Sequence, residues 1–143
     1  MAIANLHETI QSHIIRKAEL QRLISELQSE KSLAIYSQAD EQSLLSADKH
    51  AIRDYFKGLW DNDVDLQEKY DSYTEIPDFE EEIDRIVAMH QQKIDELAAW
   101  ETNVDAQITT SSTELEEVNA YLDSYKQMLS SNINEDFDYG LGG

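Results

Sequence analysis

Asp61, Asp63 and Asp65 stand at alternate positions, the spacing with which a calcium loop presents its first carboxylates to one ion. Such a loop needs glycine at its sixth place for the sharp turn and a bidentate glutamate at its twelfth. Leu66 and Ser72 occupy those places, so the spacing predicts no calcium site. The four histidines are His7, His13, His50 and His90. None belongs to a His-Glu-x-x-His pair and none follows a glutamate by three residues, the arrangement that lets Glu and His share the inward face of a dimetal bundle. His13 and His90 fall at or near seam positions of helices, where a polar residue fixes register more readily than it binds metal.

Carboxylates are plentiful, at 30 Asp and Glu. Paired acid and base work needs two of them in different buried environments so that their proton affinities separate, and these line helix faces that water reaches. The sequence has no nucleophile elbow, no phosphate-cradling glycine loop, no dinucleotide fingerprint and no cysteine. It predicts a protein that is not an enzyme and that carries no cofactor or metal.

The strongest pattern is structural. Ile94, Leu97, Glu101, Val104, Ile108, Ser111, Leu115, Val118, Leu122, Tyr125, Leu129 and Asn132 follow one another in alternating steps of three and four, the a/d rhythm of a helix packed along a seam. The apolar members, Ile94, Leu97, Val104, Ile108, Leu115, Val118, Leu122, Tyr125 and Leu129, are the predicted interface. Pro77 suits the first helical turn, and Asp78 followed by Glu81 has capping-box spacing, so the long helix is placed at 79–133. Inside it the run Ile108 to Thr113 is rich in hydroxyls and poor in helix propensity, which marks a weak point or bend.

A second ladder opens the chain, with Ile3, Leu6, Ile10, Leu20, Ile24, Leu27 and Ala34 on one stripe and His13 and Lys17 as polar interruptions. It weakens between 37 and 46, where Gln38 and Glu41 are polar, and the sequence admits either a bend or a continuous helix there. Leu44 to Trp60 then presents a wider apolar face, and Gly58 with Asp61-Asn62-Asp63 places the end of this arm near residue 60. Arms at 4–60 and 79–133 joined by a turn region at 61–78, with a short helix between Asp63 and Tyr73, make an all-α, elongated antiparallel helical hairpin or coiled coil within a single domain, 1–133. Tyr55, Phe56, Trp60, Tyr70, Tyr73 and Phe79 gather at the turn end. They read as a plug that closes the hairpin, and Tyr55, Phe56, Leu59 and Trp60 as the alternative partner patch. Residues 134–143 alternate acids with Phe137 and Tyr139 before ending in glycine, which predicts a flexible tail able to act as a docking motif.

Charge limits the partners. The 143 residues carry a net charge of −19. Residues 1–60 hold seven Lys and Arg against eight acids, whereas residues 61–143 hold four against 22. That field opposes phosphate backbones and anionic lipid surfaces, so neither nucleic acid nor membrane is an expected partner. Apolar runs are far too short to cross a bilayer and the first residues lack the pattern of a signal peptide, which predicts a cytoplasmic protein, with export by a route that reads no cleavable signal left open. The expected function is protein–protein contact in a structural or assembly role, through a protein partner or through self-association as a homo-oligomer. The alternative is a small acidic chaperone or adapter that holds a helical client, in the manner of secretion chaperones or scaffolding proteins.

Overall fold

The computed structural model describes residues 2–134 with their side chains. The protein is an all-helical hairpin. Helix α1 (Ile3–Asp61) leads into the short α2 (Val64–Lys69), a single 3-10 turn (Tyr73–Glu75), and α3 (Pro77–Gly142). The side chains of the acidic tail, those of Phe137 and Tyr139 included, lie outside the described residues.

Helix α1 contains no proline, and its stripe of buried and half-buried residues runs without a slip from Ile3 through Leu20, Ala34, Glu41, Leu45 and Asp48 to Ile52. The weakening at 37–46 is therefore not a break. The seam stays in phase there because Gln38 donates to the Ala34 carbonyl at 3.3 Å and Glu41 meets a partner on α3. Helix α1 ends at Asp61, close to the expected residue 60 and three residues past Gly58. The Gly58 carbonyl accepts from the Asn62 backbone N–H at 3.2 Å and from the Asn62 side chain at 2.8 Å, which carries the helix to Asp61.

The turn is held by side chains that satisfy helix ends. Gln67 donates to the carbonyls of Trp60 and Asp61 at 2.8 and 3.1 Å, two of the acceptors that the end of α1 leaves open. Asp63 caps α2, accepting from the N–H groups of Asp65 and Leu66. Ser72 caps the 3-10 turn by accepting from Thr74. The helix expected between Asp63 and Tyr73 is shorter than that span because Tyr70 turns to an extended conformation. Helix α3 starts at Pro77, so Asp78 sits inside the first turn and is not its cap, and its carboxylate there complements the partial positive charge of the helix start. The hydroxyl run does not interrupt α3. Thr109, Thr110 and Thr113 donate to carbonyls four residues back at 3.0–3.1 Å, a way of satisfying hydroxyls that keeps the helix intact.

The chain divides into two compact units. In the unit of residues 1–30 and 103–143, Leu6, Ile10 and Leu20 of α1 and Val118 and Leu122 of α3 form the buried cluster, with Leu115, Tyr125 and Leu129 packed against it. Full burial of each large apolar side chain contributes about 1.5–3 kcal/mol before entropy is counted. His13 presents its ring to the edges of Tyr121 and Tyr125, with centroids at 5.8 and 5.3 Å, and Arg16 bonds Glu114 at 2.7 Å. In the unit of residues 31–102, Ala34, Phe56, His90 and Ile94 are the buried residues. Phe56 meets Phe79 edge to face at 5.5 Å, and Phe79 meets Tyr73 in the same way at 5.5 Å. In both units the pairs descend α1 as they ascend α3, so the helices are antiparallel, and the chain's own first helix covers the seam of its last.

Candidate functional site

Among the described residues, His90 is the one titratable side chain taken almost wholly out of water, at 4% exposure. Glu41 and Asp48 lie seven residues apart on α1, one heptad, so both stand on the seam stripe with roughly 10.5 Å of helix rise between them. The imidazole of His90 enters between them from α3. Its Nδ1 lies 2.6 Å from a Glu41 oxygen and its Nε2 2.7 Å from an Asp48 oxygen. A neutral imidazole has a single N–H, and carboxylates have no proton to offer at neutral pH. Both bonds are satisfied together only by the imidazolium, which donates one N–H to each acid. The hydrogen bond to Asp48 first, and then that to Glu41, raises the His90 pKa above its ordinary 6.5, against burial that lowers it. Lys93, one turn further along α3, brings its amine to 4.0 Å from the same Glu41 oxygen.

With both ring nitrogens donating, the imidazolium offers no lone pair, and each carboxylate has one oxygen engaged by the ring. Among the described residues no group of three His, Cys, Asp or Glu side chains is disposed to hold a metal ion. Among the described residues the other histidines have no carboxylate bridging of this kind, and apart from the His13 ring contacts with Tyr121 and Tyr125 their bonds are to neighbouring turns. His13 bonds the Thr9 carbonyl through Nδ1 at 2.8 Å, His7 meets Gln11 at 3.2 Å, and His50 lies 3.5 Å from Asp54 on an exposed face. Of the three aspartates with calcium-loop spacing, Asp63 turns its carboxylate back to cap α2.

A second feature lies in the same unit. Ile52, Tyr55 and Phe56 of α1 and Asp78, Glu81 and Glu82 of α3 line a groove of about 480 Å³. Phe56 is buried in its floor, whereas Tyr55 is 64% exposed beside it. Glu82 holds Arg85 at 2.7 Å along its own helix, while Asp78 and Glu81 make no ion pair among the described residues.

The predicted seam residues fall on the inner stripe of α3. Ile94, Val104, Val118 and Leu122 are buried, and Leu97, Ile108, Leu115, Tyr125 and Leu129 are half-buried. Of the predicted patch, Phe56 is turned inward against Phe79, Trp60 is half-buried with its indole N–H donating to the Tyr70 carbonyl at 3.2 Å, and Tyr55 and Leu59 are exposed. Phe56 is thus the most deeply buried of the four. The expected aromatic plug is built from Phe56, Phe79 and Tyr73, with Tyr55 set edge to face on Phe56 at 5.4 Å and its other side exposed. Sequence reasoning missed Glu41 and Asp48 as partners of His90. The available signal was their heptad spacing on the ladder of α1 opposite a polar ladder position of α3.

No helix of the described residues is long and apolar enough to cross a membrane. No family model matches the chain, and no curated protein or solved structure is significantly similar to it.

Proposed function

We propose that this chain is a non-enzymatic helical hairpin that works by protein–protein contact, in a structural or assembly role. The observation that carries the reading is the distribution of apolar surface. The seam between α1 and α3 is already filled, yet Ile14, Ile15, Leu23, Tyr121 and Met128 in one unit and Leu33, Ile35, Tyr36, Leu44, Tyr55 and Leu59 in the other remain exposed. Exposed apolar side chains are normal when scattered singly, and we take their recurrence along both units as surface for a partner to cover.

The experiment is the molar mass in solution by light scattering over about a hundredfold range of concentration, where mass action separates self-association from a closed monomer. A dimer or larger species supports the assembly role. A monomer throughout overturns self-association and moves the reading to the adapter or chaperone. That second reading is favoured specifically by the acidic groove at Tyr55 and Glu81.

A further inference from the structure

The groove between the last turns of α1 and the first turns of α3 has the makings of a site for one kind of partner. Its floor is apolar, made by Ile52 and the buried Phe56, and one wall is the exposed ring of Tyr55. The opposite wall carries three carboxylates within two turns of one helix: Asp78, Glu81 and Glu82. Of the three, Glu82 makes the only ion pair among the described residues, with Arg85 on its own helix, and Arg85 does not line the groove. Neither do Arg53 and Lys57, the basic residues that flank Tyr55 and Phe56 in the sequence. The volume of about 480 Å³ lies within the range of roughly 300–1,000 Å³ in which clefts hold ligands or anchoring side chains.

An apolar floor beside unpaired acids suits a side chain that is apolar along its stem and cationic at its tip. Arginine and lysine have that form, laying their methylenes on hydrophobic surface and keeping the charge at the rim. Tyr55 adds a ring face to which a guanidinium is attracted, and a carboxylate can take the planar guanidinium by two parallel hydrogen bonds. We infer that this groove docks an arginine-bearing, amphipathic helical segment of a partner protein, with an apolar residue over Ile52 and Phe56 and arginine against Tyr55, Asp78 and Glu81. The inference deepens the protein-contact reading of the chain and rests on it.

The test uses the full chain and a short synthetic helical peptide of alternating leucine and arginine turns, labelled for fluorescence anisotropy. It is run at about 0.15 M salt, where the screening length is near 8 Å and long-range attraction to the acidic chain is suppressed. Three proteins are compared after far-UV circular dichroism shows the same helix content. One is the double variant Asp78→Asn with Glu81→Gln. A charge-matched control, Glu116→Gln with Glu117→Gln, neutralises two exposed acids of α3 in the other unit. The third, Ala51→Trp, fills the groove without changing charge and leaves the start of α3 untouched.

The groove variants are expected to weaken peptide binding by about tenfold or more, as loss of a desolvated charge contact does, and the control by no more than about twofold. Equal weakening by the control and the double variant would mean that the peptide reads only the general acidity, and would overturn the groove while leaving the protein-contact reading standing. Unaltered binding to Ala51→Trp overturns it independently of any effect on folding. A chain that binds no peptide and stays monomeric by light scattering contradicts the groove and the assembly role together.

Discussion

The two units solve the same packing problem with different chemistry. In the unit of residues 1–30 and 103–143 the helices meet through Leu6, Ile10, Leu20, Val118 and Leu122, and the polar contacts stay at the edges, as with the half-exposed pair Arg16 and Glu114. In the unit of residues 31–102 an imidazolium and two carboxylates stand where the first unit has leucines, with an aromatic cluster beside the turn. Apolar contacts are strong and tolerant of their partners. A charged triad demands particular partners and adds little net stability, because desolvation offsets much of its Coulomb attraction. On this contrast the first unit supplies holding energy and the second discriminates between alternative alignments of α1 on α3.

The largest expected effect comes from breaking the apolar side of this contrast. Leu20→Ala or Leu122→Ala removes a side chain from the buried cluster and should cost about 2–5 kcal/mol, read as a lower urea midpoint. Leu122→Asp, which buries a charge without a partner, should abolish the cooperative transition. A variant that melts like the parent would show that this cluster does not carry the stability assigned to it.

The polar side predicts a different pattern. His90→Leu alone leaves the carboxylate of Glu41 in a site only 12% exposed with no imidazolium, and should lower the melting temperature clearly. His90→Leu combined with Glu41→Leu removes both members and should recover much or all of that loss, since apolar isosteres often replace a buried ion pair without penalty. If alignment depends on the triad, this double variant should show broadened amide spectra or altered cross-links between α1 and α3 despite its stability. Sharp, parent-like spectra would remove the discriminating role.

Acidity sharpens the contrast further. Because the His90 pKa is raised in the folded protein, the native chain binds more protons than the unfolded chain between pH 6.5 and that raised value. The stabilisation is fully present below about pH 6.5 and is lost as pH rises through the folded pKa. Melting temperature should therefore fall with rising pH across that window, and the slope should vanish in the His90→Leu, Glu41→Leu variant. The smallest effect expected is that of Asp63→Ala, which removes the cap of α2 and should cost about 1 kcal/mol, with a correspondingly small shift in the urea midpoint.

Much of this architecture was legible in the sequence, for a simple reason. The ladder from Ile94 to Leu129 is written in apolar residues, and nothing but a seam explains their rhythm. The ladder of α1 was equally regular but was written partly in polar letters. Gln38, Glu41 and Asp48 look like decay of the pattern when read one helix at a time, and His90 looks like an isolated interruption. A salt-bridged seam becomes visible only when both strands of the hairpin are aligned, because each polar residue is explained by one far away in the chain. The end of α1 was legible as well: Gly58 with Asp61-Asn62-Asp63 places it near residue 60, and the helix ends at Asp61, carried past Gly58 by the Asn62 bonds to the Gly58 carbonyl.

The aromatic cluster of Phe56, Phe79 and Tyr73 bears on the order in which the chain folds. Joining Phe56 to Phe79 closes a loop of roughly two dozen residues, whereas joining Leu6 to Leu122 directly closes one of more than a hundred, a difference of about 1.5 kcal/mol in chain entropy. Contacts near the turn should form first, with the remaining pairs added by zipping away from it. In stopped-flow measurements Phe56→Ala should then slow refolding, and Leu6→Ala should chiefly hasten unfolding. The reverse assignment would place the nucleus at the chain ends. If the turn leads, Glu41, Asp48 and His90 meet early, before most of the leucines have a partner, and a misaligned hairpin is rejected while it is still small enough to reopen quickly.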